Sequence, residues 1–323
     1  MKTLHVATNN GLLTFLKKVE VKEWRLIHHG LQGINVKCLH VDPTDKSKIY
    51  AGSENGMVYE SRGEEWNEVS KLVGKVYCLT AARVDENLHV YAGVEPAKLL
   101  RSLDRCKTWH EIKSLQNIHG SKEWYSPWGT PDLNSVVLNP QDHRQIYVGI
   151  EVGGVMKSND EGANWADVSN GLHKDIHCLA INYNNPRIIF AATGGGIYKT
   201  ASAGKLWFDI GHEIDLKYAV SVAIHPAKPN ITYLAIAMDP PGNQAVLHRS
   251  DDYGETWSLM HNGLPYPMLK GIRSGGLIVN PEAPAEVYVG TSDGVVFYSL
   301  DEGMRWESIA NTTSIINALA LSD

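Results

Sequence analysis

Seven of the nine tryptophans in this chain of 323 residues recur at a nearly regular spacing. Consecutive members of the set are 42 to 56 residues apart, which is the length of a small structural repeat. They are Trp24, Trp66, Trp109, Trp165, Trp207, Trp257 and Trp306. One such repeat cannot bury its own apolar face, so the chain must pack successive repeats against one another.

The last tryptophans end a shared turn sequence, Ser-x-Asp-x-Gly-x-x-Trp. It is complete at residues 158–165, 250–257 and 299–306, and a fourth copy at 102–109 has Cys106 in place of the glycine. We expect the aspartate to accept hydrogen bonds from backbone N–H groups of its own turn, the glycine to supply a positive φ, and the tryptophan to pack between repeats. The turn is therefore predicted to be structural.

Each repeat reads as four short strands, A to D. Strand A is an apolar run closed by a Pro, Asn or Asp turn, and strand B contains a Tyr-x-Gly-like segment. Strand C ends at the serine of the turn, and strand D carries the tryptophan. Seven strand-B segments match the seven tryptophans. The pattern predicts an all-β fold, a seven-bladed β-propeller of four-stranded antiparallel blades, forming a single domain over residues 1–323.

The two ends of the chain are out of phase with the blades. The chain starts with a strand B at residues 3–8 and finishes with a strand A at residues 315–321. We therefore expect the C-terminal strand to complete the first blade and close the ring, which removes the free sheet edges.

Charge and composition limit the partners. The 30 basic and 36 acidic residues give a net charge of −6 without basic blocks, so no nucleic-acid footprint is present. No apolar run is long enough to span a membrane, and the first strand leaves no room for a signal peptide. The four cysteines do not form a disulfide framework. A cytoplasmic location without membrane contact is expected.

Three loops between strands B and C carry a glutamate two residues after the strand-B glycine. They are Glu54, Glu95 and Glu151, on consecutive predicted blades. These loops should surround the mouth of the central channel, on the face opposite the Asp turns. Carboxylates brought together raise one pKa, which suits a general acid beside a general base, or bind a divalent cation. The alternative is that solvent holds them apart as ordinary loop acids.

A second cluster precedes a strand A. His173, Asp175 and His177 alternate, so an extended chain would place them on one side. His177 occupies a strand-A position that is mostly polar in other repeats and should point into the channel, as at Lys37, Tyr77, Ser135, Ser221 and Asn317. The run could supply an acid/base pair or metal ligands, although it lacks the fixed spacing of a zinc signature. Solvated channel residues are the structural alternative.

The longest connection, residues 117–134, contains the two tryptophans outside the register, Trp124 and Trp128. Exposed loop aromatics stack on sugar rings, or else pack together to hold the loop. On other connections, Tyr218 and Arg273 could contact an anionic or hydroxyl-rich ligand.

The turn sequences SNDEGANW, SDDYGETW and SLDEGMRW resemble those of Asp-box (BNR) propellers. That superfamily includes sialidases, xyloglucan-active glycoside hydrolases, sortilin-type receptors and a photosystem assembly factor. The chain lacks the N-terminal Phe/Tyr-Arg-Ile-Pro segment of sialidases, which argues against sialidase activity. The segments VEPAKLLRS, VGIEVGGVMKS, GLHKDIH and AATGGGIYKT are similar to bacterial "glycosyl hydrolase-like" BNR proteins. The resemblance implies the fold and assigns no activity.

The sequence therefore predicts a glycoside-hydrolase-like enzyme that acts on a carbohydrate or similar polar small molecule. Glu95 and Glu151 would be the acid/base pair, with Asp175 and His177 positioning water. Glu54, His173, Tyr218 and Arg273, together with Trp124 and Trp128, would bind substrate. No cofactor is expected. A non-catalytic protein-interaction scaffold and a metal-dependent lyase or hydrolase are the alternatives.

Overall fold

The computed structural model describes residues 2–17, 23–62, 65–127, 129–265 and 269–322. These residues form strands, turns and two short 3₁₀ helices, η1 (Lys113–Asn117) and η2 (Ser121–Glu123), and no α-helix. Within the described ranges, no helix has the length and apolar character required to cross a membrane.

The strands of the first half are β1 (Lys2–Thr8), β2 (Gly11–Lys17), β3 (Trp24–Gly30), β4 (Val36–Val41), β5 (Ile49–Ser53), β6 (Met57–Arg62), β7 (Glu65–Lys71), β8 (Lys75–Val84), β9 (Asn87–Glu95), β10 (Lys98–Ser102), β11 (His110–Glu111), β12 (Leu133–Asn139), β13 (Asp142–Ile150), β14 (Gly154–Ser158) and β15 (Ala166–Asp167). Those of the second half are β16 (Ile176–Ile181), β17 (Ile189–Thr193), β18 (Gly196–Thr200), β19 (Phe208–Asp209), β20 (Tyr218–Ile224), β21 (Thr232–Asp239), β22 (Asn243–Ser250), β23 (Ser258–Met260), β24 (Leu269–Val279), β25 (Val287–Thr291), β26 (Val295–Ser299), β27 (Glu307–Asn311) and β28 (Ile316–Ser322).

The strands pair as repeated antiparallel meanders. Four separate four-stranded sheets consist of β4–β7, β8–β11, β12–β15 and β16–β19. The remaining strands form one larger hydrogen-bonded sheet, in which β20–β23 and β24–β27 are further meanders and β28 joins β1, β2 and β3. The all-β class and the four-stranded antiparallel unit predicted from the repeat are confirmed, and the arrangement is that of a β-propeller.

The two ends of the chain pair with each other. β28 runs antiparallel to β1, with Leu4 opposite Leu321 and Val6 opposite Leu319. These strands lie within one residue of the predicted segments 3–8 and 315–321. The C-terminal strand therefore supplies the fourth strand of the first meander.

The strand-B glycines allow neighbouring sheets to approach closely. A Cβ on Gly52 would lie 2.5 Å from Val76 Cγ1, and one on Gly149 would lie 2.5 Å from Ile176 Cγ2. Each glycine thus receives a β-branched side chain from the first strand of the next sheet. This contact explains the Tyr-x-Gly segments, since a larger residue would force the sheets apart.

The Asp turns form as predicted. At residues 158–165, Asp160 Oδ1 accepts the backbone N–H of Asn164 at 2.8 Å, and Gly162 has a φ of 90°. Cys106 adopts the same left-handed conformation, with a φ of 66°.

One detail of the tryptophan position differs from expectation. In five repeats the tryptophan lies directly before strand D rather than within it, as Trp165 precedes β15 and Trp306 precedes β27. Some of these indoles complete their own turn, as Trp165 Nε1 donates to the Gly162 carbonyl at 3.0 Å and Trp306 Nε1 to that of Gly303 at 2.9 Å. Others bond to the preceding repeat, as Trp257 Nε1 donates to the Ile210 carbonyl at 3.0 Å.

Each meander brings the start of its strand A and the end of its strand B to the same edge of the sheet. In each unit the first residue of strand A lies opposite the end of strand B, as Lys75 lies opposite Glu95 and Leu133 opposite Ile150. Side chains at the start of strand A and just after strand B therefore meet at the same edge.

Candidate active site

A cavity of about 480 Å³ opens where these strand ends converge. Five residues singled out from the sequence line it: Glu95, Glu151, His177, Tyr218 and Arg273. They come from the end of β9, the residue after β13, and strands β16, β20 and β24. Four of the polar strand-A positions expected to point into the channel also line it, at Lys37, Tyr77, His177 and Asn317.

The most unusual feature of the cavity is a pair of buried carboxyl groups, Asp132 and Glu151. Their side chains are hydrogen-bonded to each other and are 6% and 9% exposed. The Glu151 N–H also donates to the Asp132 carbonyl at 3.0 Å, which fixes the two residues side by side. Asp132 Oδ1 has no hydrogen-bond partner among the described residues.

Burial, followed by the charge of Glu151 and the hydrogen bond to it, raises the pKa of Asp132 to about 8. Burial also raises the pKa of Glu151. Two adjacent carboxyl groups that are shielded from water cannot both ionise cheaply, so the pair holds one proton at neutral pH. Asp132 is the member that retains it.

Glu95, unlike the buried carboxyl pair, is surrounded by hydrogen-bond donors. Its carboxylate accepts hydrogen bonds from Lys75 Nζ at 3.1 Å, Tyr77 Oη at 3.1 Å and Thr130 Oγ1 at 2.9 Å. Burial alone would raise the pKa of Glu95, but the donors, Thr130 and Lys75 foremost, hold it below its usual range. Glu95 is therefore ionised while Asp132 carries a proton.

His177 and Asp175 form a second polar contact next to the carboxyl pair. His177 Nδ1 donates to the Ala219 carbonyl at 2.6 Å, which leaves Nε2 facing Asp175 Oδ2 at 3.4 Å. The ring packs on Tyr218, with 4.6 Å between ring centroids. Burial would raise the pKa of Asp175, but the hydrogen bond and charge of His177 lower it. These contacts fix the orientation of the imidazole at the cavity wall.

The remaining predicted residues lie elsewhere. His173 is exposed and accepts the Asp175 N–H at 3.4 Å, and Asp175 reaches the cavity only through His177. Glu54 is exposed, with its carboxylate bonded to Asn35 Nδ2 at 2.8 Å, and does not line the cavity. Trp124 is half-buried against an apolar cluster that includes Ile150. Trp128 lies outside the described residues.

Several polar residues of the cavity were not among the sequence-predicted site residues. Asp132, Ser126 and Thr130 all come from the long connection 117–134, in which the sequence predicts only the two tryptophans as site residues. The signal for Asp132 was its position directly before a strand A. The signal for Tyr77 was its strand-A position, equivalent to that of His177.

Across the described ranges, no group of three or more His, Cys, Asp or Glu side chains is placed to hold a metal ion. The hydrogen bonds within the site connect carboxyl groups to protonated donors instead.

Comparison with known proteins supports the fold. No family model matches the chain. A xyloglucanase from Paenibacillus sp. is 23% identical over 381 residues, covering 96% of this chain and 35% of that protein. The crystal structure of a GH74 enzyme from Niastella koreensis superimposes with a TM-score of 0.67 at 13% identity, covering 97% of this chain and 65% of the other. YCF48 bound to D1 peptide gives a TM-score of 0.56 at 16% identity, covering 84% and 81%.

The chain spans about a quarter to a third of the length of the curated relatives that it matches. These similarities support the β-propeller fold.

Proposed function

We propose that this protein is a glycoside-hydrolase-like enzyme that cleaves a glycosidic bond in the cavity by carboxyl acid/base chemistry. The observation that carries the proposal is the pair of opposite protonation states: Asp132 retains a proton beside Glu151, whereas Glu95 in the same cavity stays ionised. Titratable groups whose pKa values are pushed apart by their surroundings are the signature of an acid and base assignment. The similarity to xyloglucan-cleaving enzymes favours a carbohydrate substrate.

In the proposed reaction, Asp132 donates its proton to the glycosidic oxygen as the bond from that oxygen to the anomeric carbon breaks. A water molecule adds to the anomeric carbon, and Glu95 accepts the proton that this water loses. Glu151 shares the proton of Asp132 and keeps it on the carboxyl pair in the resting enzyme. His177, held by Asp175 and Ala219, orients the substrate or water at the adjoining wall.

We further propose that the frame of this site is a ring of seven blades in one domain. The pairing of β28 with β1 and the successive four-stranded meanders support this count. In addition, a Cβ on Gly290 of the last meander would lie 2.4 Å from Ile316 Cγ2 on β28, which is the same glycine contact that joins neighbouring sheets elsewhere.

Turnover assays test the enzymatic proposal. Wild type is incubated with a panel of aryl glycosides, xyloglucan oligosaccharides and acidic oligosaccharides, and released reducing ends are measured. Asp132→Asn should lower kcat by at least about 100-fold on any substrate found, because general acid catalysis contributes roughly 10²–10⁴ in rate. Asp215→Asn, which changes an exposed carboxylate outside the cavity, is the matched control.

Activity should fall as the pH rises past the pKa of Asp132, about 8. No turnover across the panel would exclude the hydrolase and favour the scaffold. Equal rates for wild type and Asp132→Asn would remove Asp132 from the mechanism.

A further inference from the structure

Two cationic side chains line the cavity without forming an ion pair with any of the described residues. They are Lys37 on β4 and Arg273 on β24, and the ion pairs among the described residues include neither. The third cation of the lining, Lys75, is paired with Glu95 at 3.1 Å. Lys37 and Arg273 are thus the part of the cavity where positive charge has no fixed partner.

Local contacts hold both groups in place but leave their charge available. The Lys37 ammonium lies 5.1 Å from the centroid of the Tyr77 ring, which is a cation–π contact. The Arg273 guanidinium donates from Nη1 to the Pro241 carbonyl, a neutral acceptor. One guanidinium carries five donors, and no other hydrogen bond of Arg273 to a described residue is formed, so further N–H groups can bind a planar acceptor in the cavity.

The charge of Arg273 acts on Lys37. Burial lowers the pKa of Lys37, the charge of Glu54 opposes this effect, and the charge of Arg273 lowers the pKa further. Burial likewise lowers the pKa of Arg273. Half-buried like charges within reach of each other are unfavourable unless an anion binds with them.

The residues that line the cavity carry more positive than negative charges. Glu95 contributes one negative charge, and Asp132 and Glu151 contribute one between them because they share a proton. Lys37, Lys75 and Arg273 contribute three positive charges, so the lining, His177 apart, carries an excess of one. Glu54, outside the lining, offsets part of the charge of Lys37, whereas no carboxylate among the described residues acts on Arg273.

We propose that the cavity binds an anionic ligand, a sugar-sized molecule carrying a carboxylate or phosphate group, with that group held between Lys37 and Arg273. Carboxylates and phosphates match the guanidinium fork, and a lysine adds a point charge. The anion subsite would define the substrate class of the proposed hydrolase, and its role in catalysis rests on that proposed function. Binding itself is measured without turnover.

The test compares three sugars that differ at one carbon: glucose, glucuronate and glucose 6-phosphate. Calorimetric titration into wild type at low salt should give a Kd at least about tenfold lower for one or both anionic sugars than for glucose, as expected for a charged hydrogen-bonded contact. The preference should weaken as salt is added. The carboxylate and phosphate arms identify which group the subsite prefers.

Variants locate the contact. Lys37→Met and Arg273→Gln should each remove most of the anionic preference, and Arg273→Lys should retain part of it. The substitutions Lys205→Met and Arg187→Gln, at exposed positions, are the matched controls and should leave it unchanged. Melting temperatures verify that each variant is folded, and the wild-type comparison stands without any variant.

Equal affinity for the three sugars, an anionic preference that survives both cavity variants, or no binding of any probe at millimolar concentration overturns the anion subsite. Hydrolysis of neutral glycosides without anionic preference would overturn the subsite and leave the hydrolase intact. Anion binding at Lys37 and Arg273 with no turnover of any glycoside would support the subsite and overturn the hydrolase.

Discussion

Asp132 should make the folded protein less stable as the pH rises, and replacing it by asparagine should remove that loss. Its pKa is raised from 3.8 to about 8 in the folded protein. Below pH 3.8 both the folded and unfolded chains carry the proton. Between that pH and about 8, only the folded chain does, so unfolding releases a proton and the free energy of unfolding falls with increasing pH.

The magnitude follows from the proton affinity. The folded protein holds the proton about four powers of ten more tightly, at roughly 1.4 kcal/mol for each, so the loss has a ceiling of about 6 kcal/mol by pH 8 and about 4 kcal/mol at pH 7. An asparagine side chain at this position would be neutral throughout and could donate its amide to Glu151. The stability advantage of Asp132→Asn over wild type should therefore grow steadily from acid to alkaline pH.

Denaturant unfolding, followed by tryptophan fluorescence at constant ionic strength, measures the advantage between pH 4.5 and 8.5. Asp215→Asn should track wild type throughout. Glu151→Gln should shift the pH dependence of Asp132 to lower pH, because it removes one of the charges that hold the proton there. An Asp132→Asn advantage that is constant to within about 1 kcal/mol over this range would refute the buried-proton account.

Three further predictions test the frame and the site. Trp306→Ala should lower the free energy of unfolding by about 3–5 kcal/mol because the indole is 2% exposed, whereas Trp165→Ala, at a half-buried position, should cost less; equal losses in denaturant melts would contradict the packing. Deleting residues 314–323 removes β28 and should give insoluble or strongly destabilised protein, so a truncated chain melting within a few degrees of the full one would be inconsistent with its pairing to β1. Glu95→Gln should abolish turnover yet leave the melting temperature within a few degrees, because its lost ion pair with Lys75 is partly exposed; an unfolded variant would instead make Glu95 structural.

The fold could be predicted from the sequence because each structural element is repeated. Similar physical demands recur in several units, such as a glycine where the next sheet packs closely and a tryptophan that completes the Asp turn. Because the same residue types recur at equivalent positions, the pattern can be distinguished from a chance arrangement. The exact limits of strand D could not be predicted, since they depend on how far the turn extends past the tryptophan.

The site was predictable in part because it follows the repeat. Glu95 and Glu151 share an offset with Glu54, and the first two line the cavity. Glu54 does not, because Asn35 holds its carboxylate at an exposed position. Asp132 lies directly before a strand A, as Asp175 does before β16, and each of their carbonyls accepts an N–H from the loop after strand B. Asp132 itself belongs to the insertion 117–134. The raised pKa of Asp132 depends on Glu151, which is distant in sequence, so no local sequence pattern predicts this pKa.

The distribution of charge around the cavity imposes an orientation on any ligand. The carboxyl groups lie on consecutive meanders, with Glu95 on β9 and Asp132 and Glu151 flanking β12 and β13. The unpaired cations lie on β4 and β24, on either side of β28, which contributes the neutral Asn317. A ligand anion drawn to the cations would leave the opposite end of the molecule toward the proton of Asp132. The carboxyl groups thus lie at one wall of the cavity and Lys37 and Arg273 at another, so in the proposed reaction binding and bond cleavage would be divided between separate groups of blades.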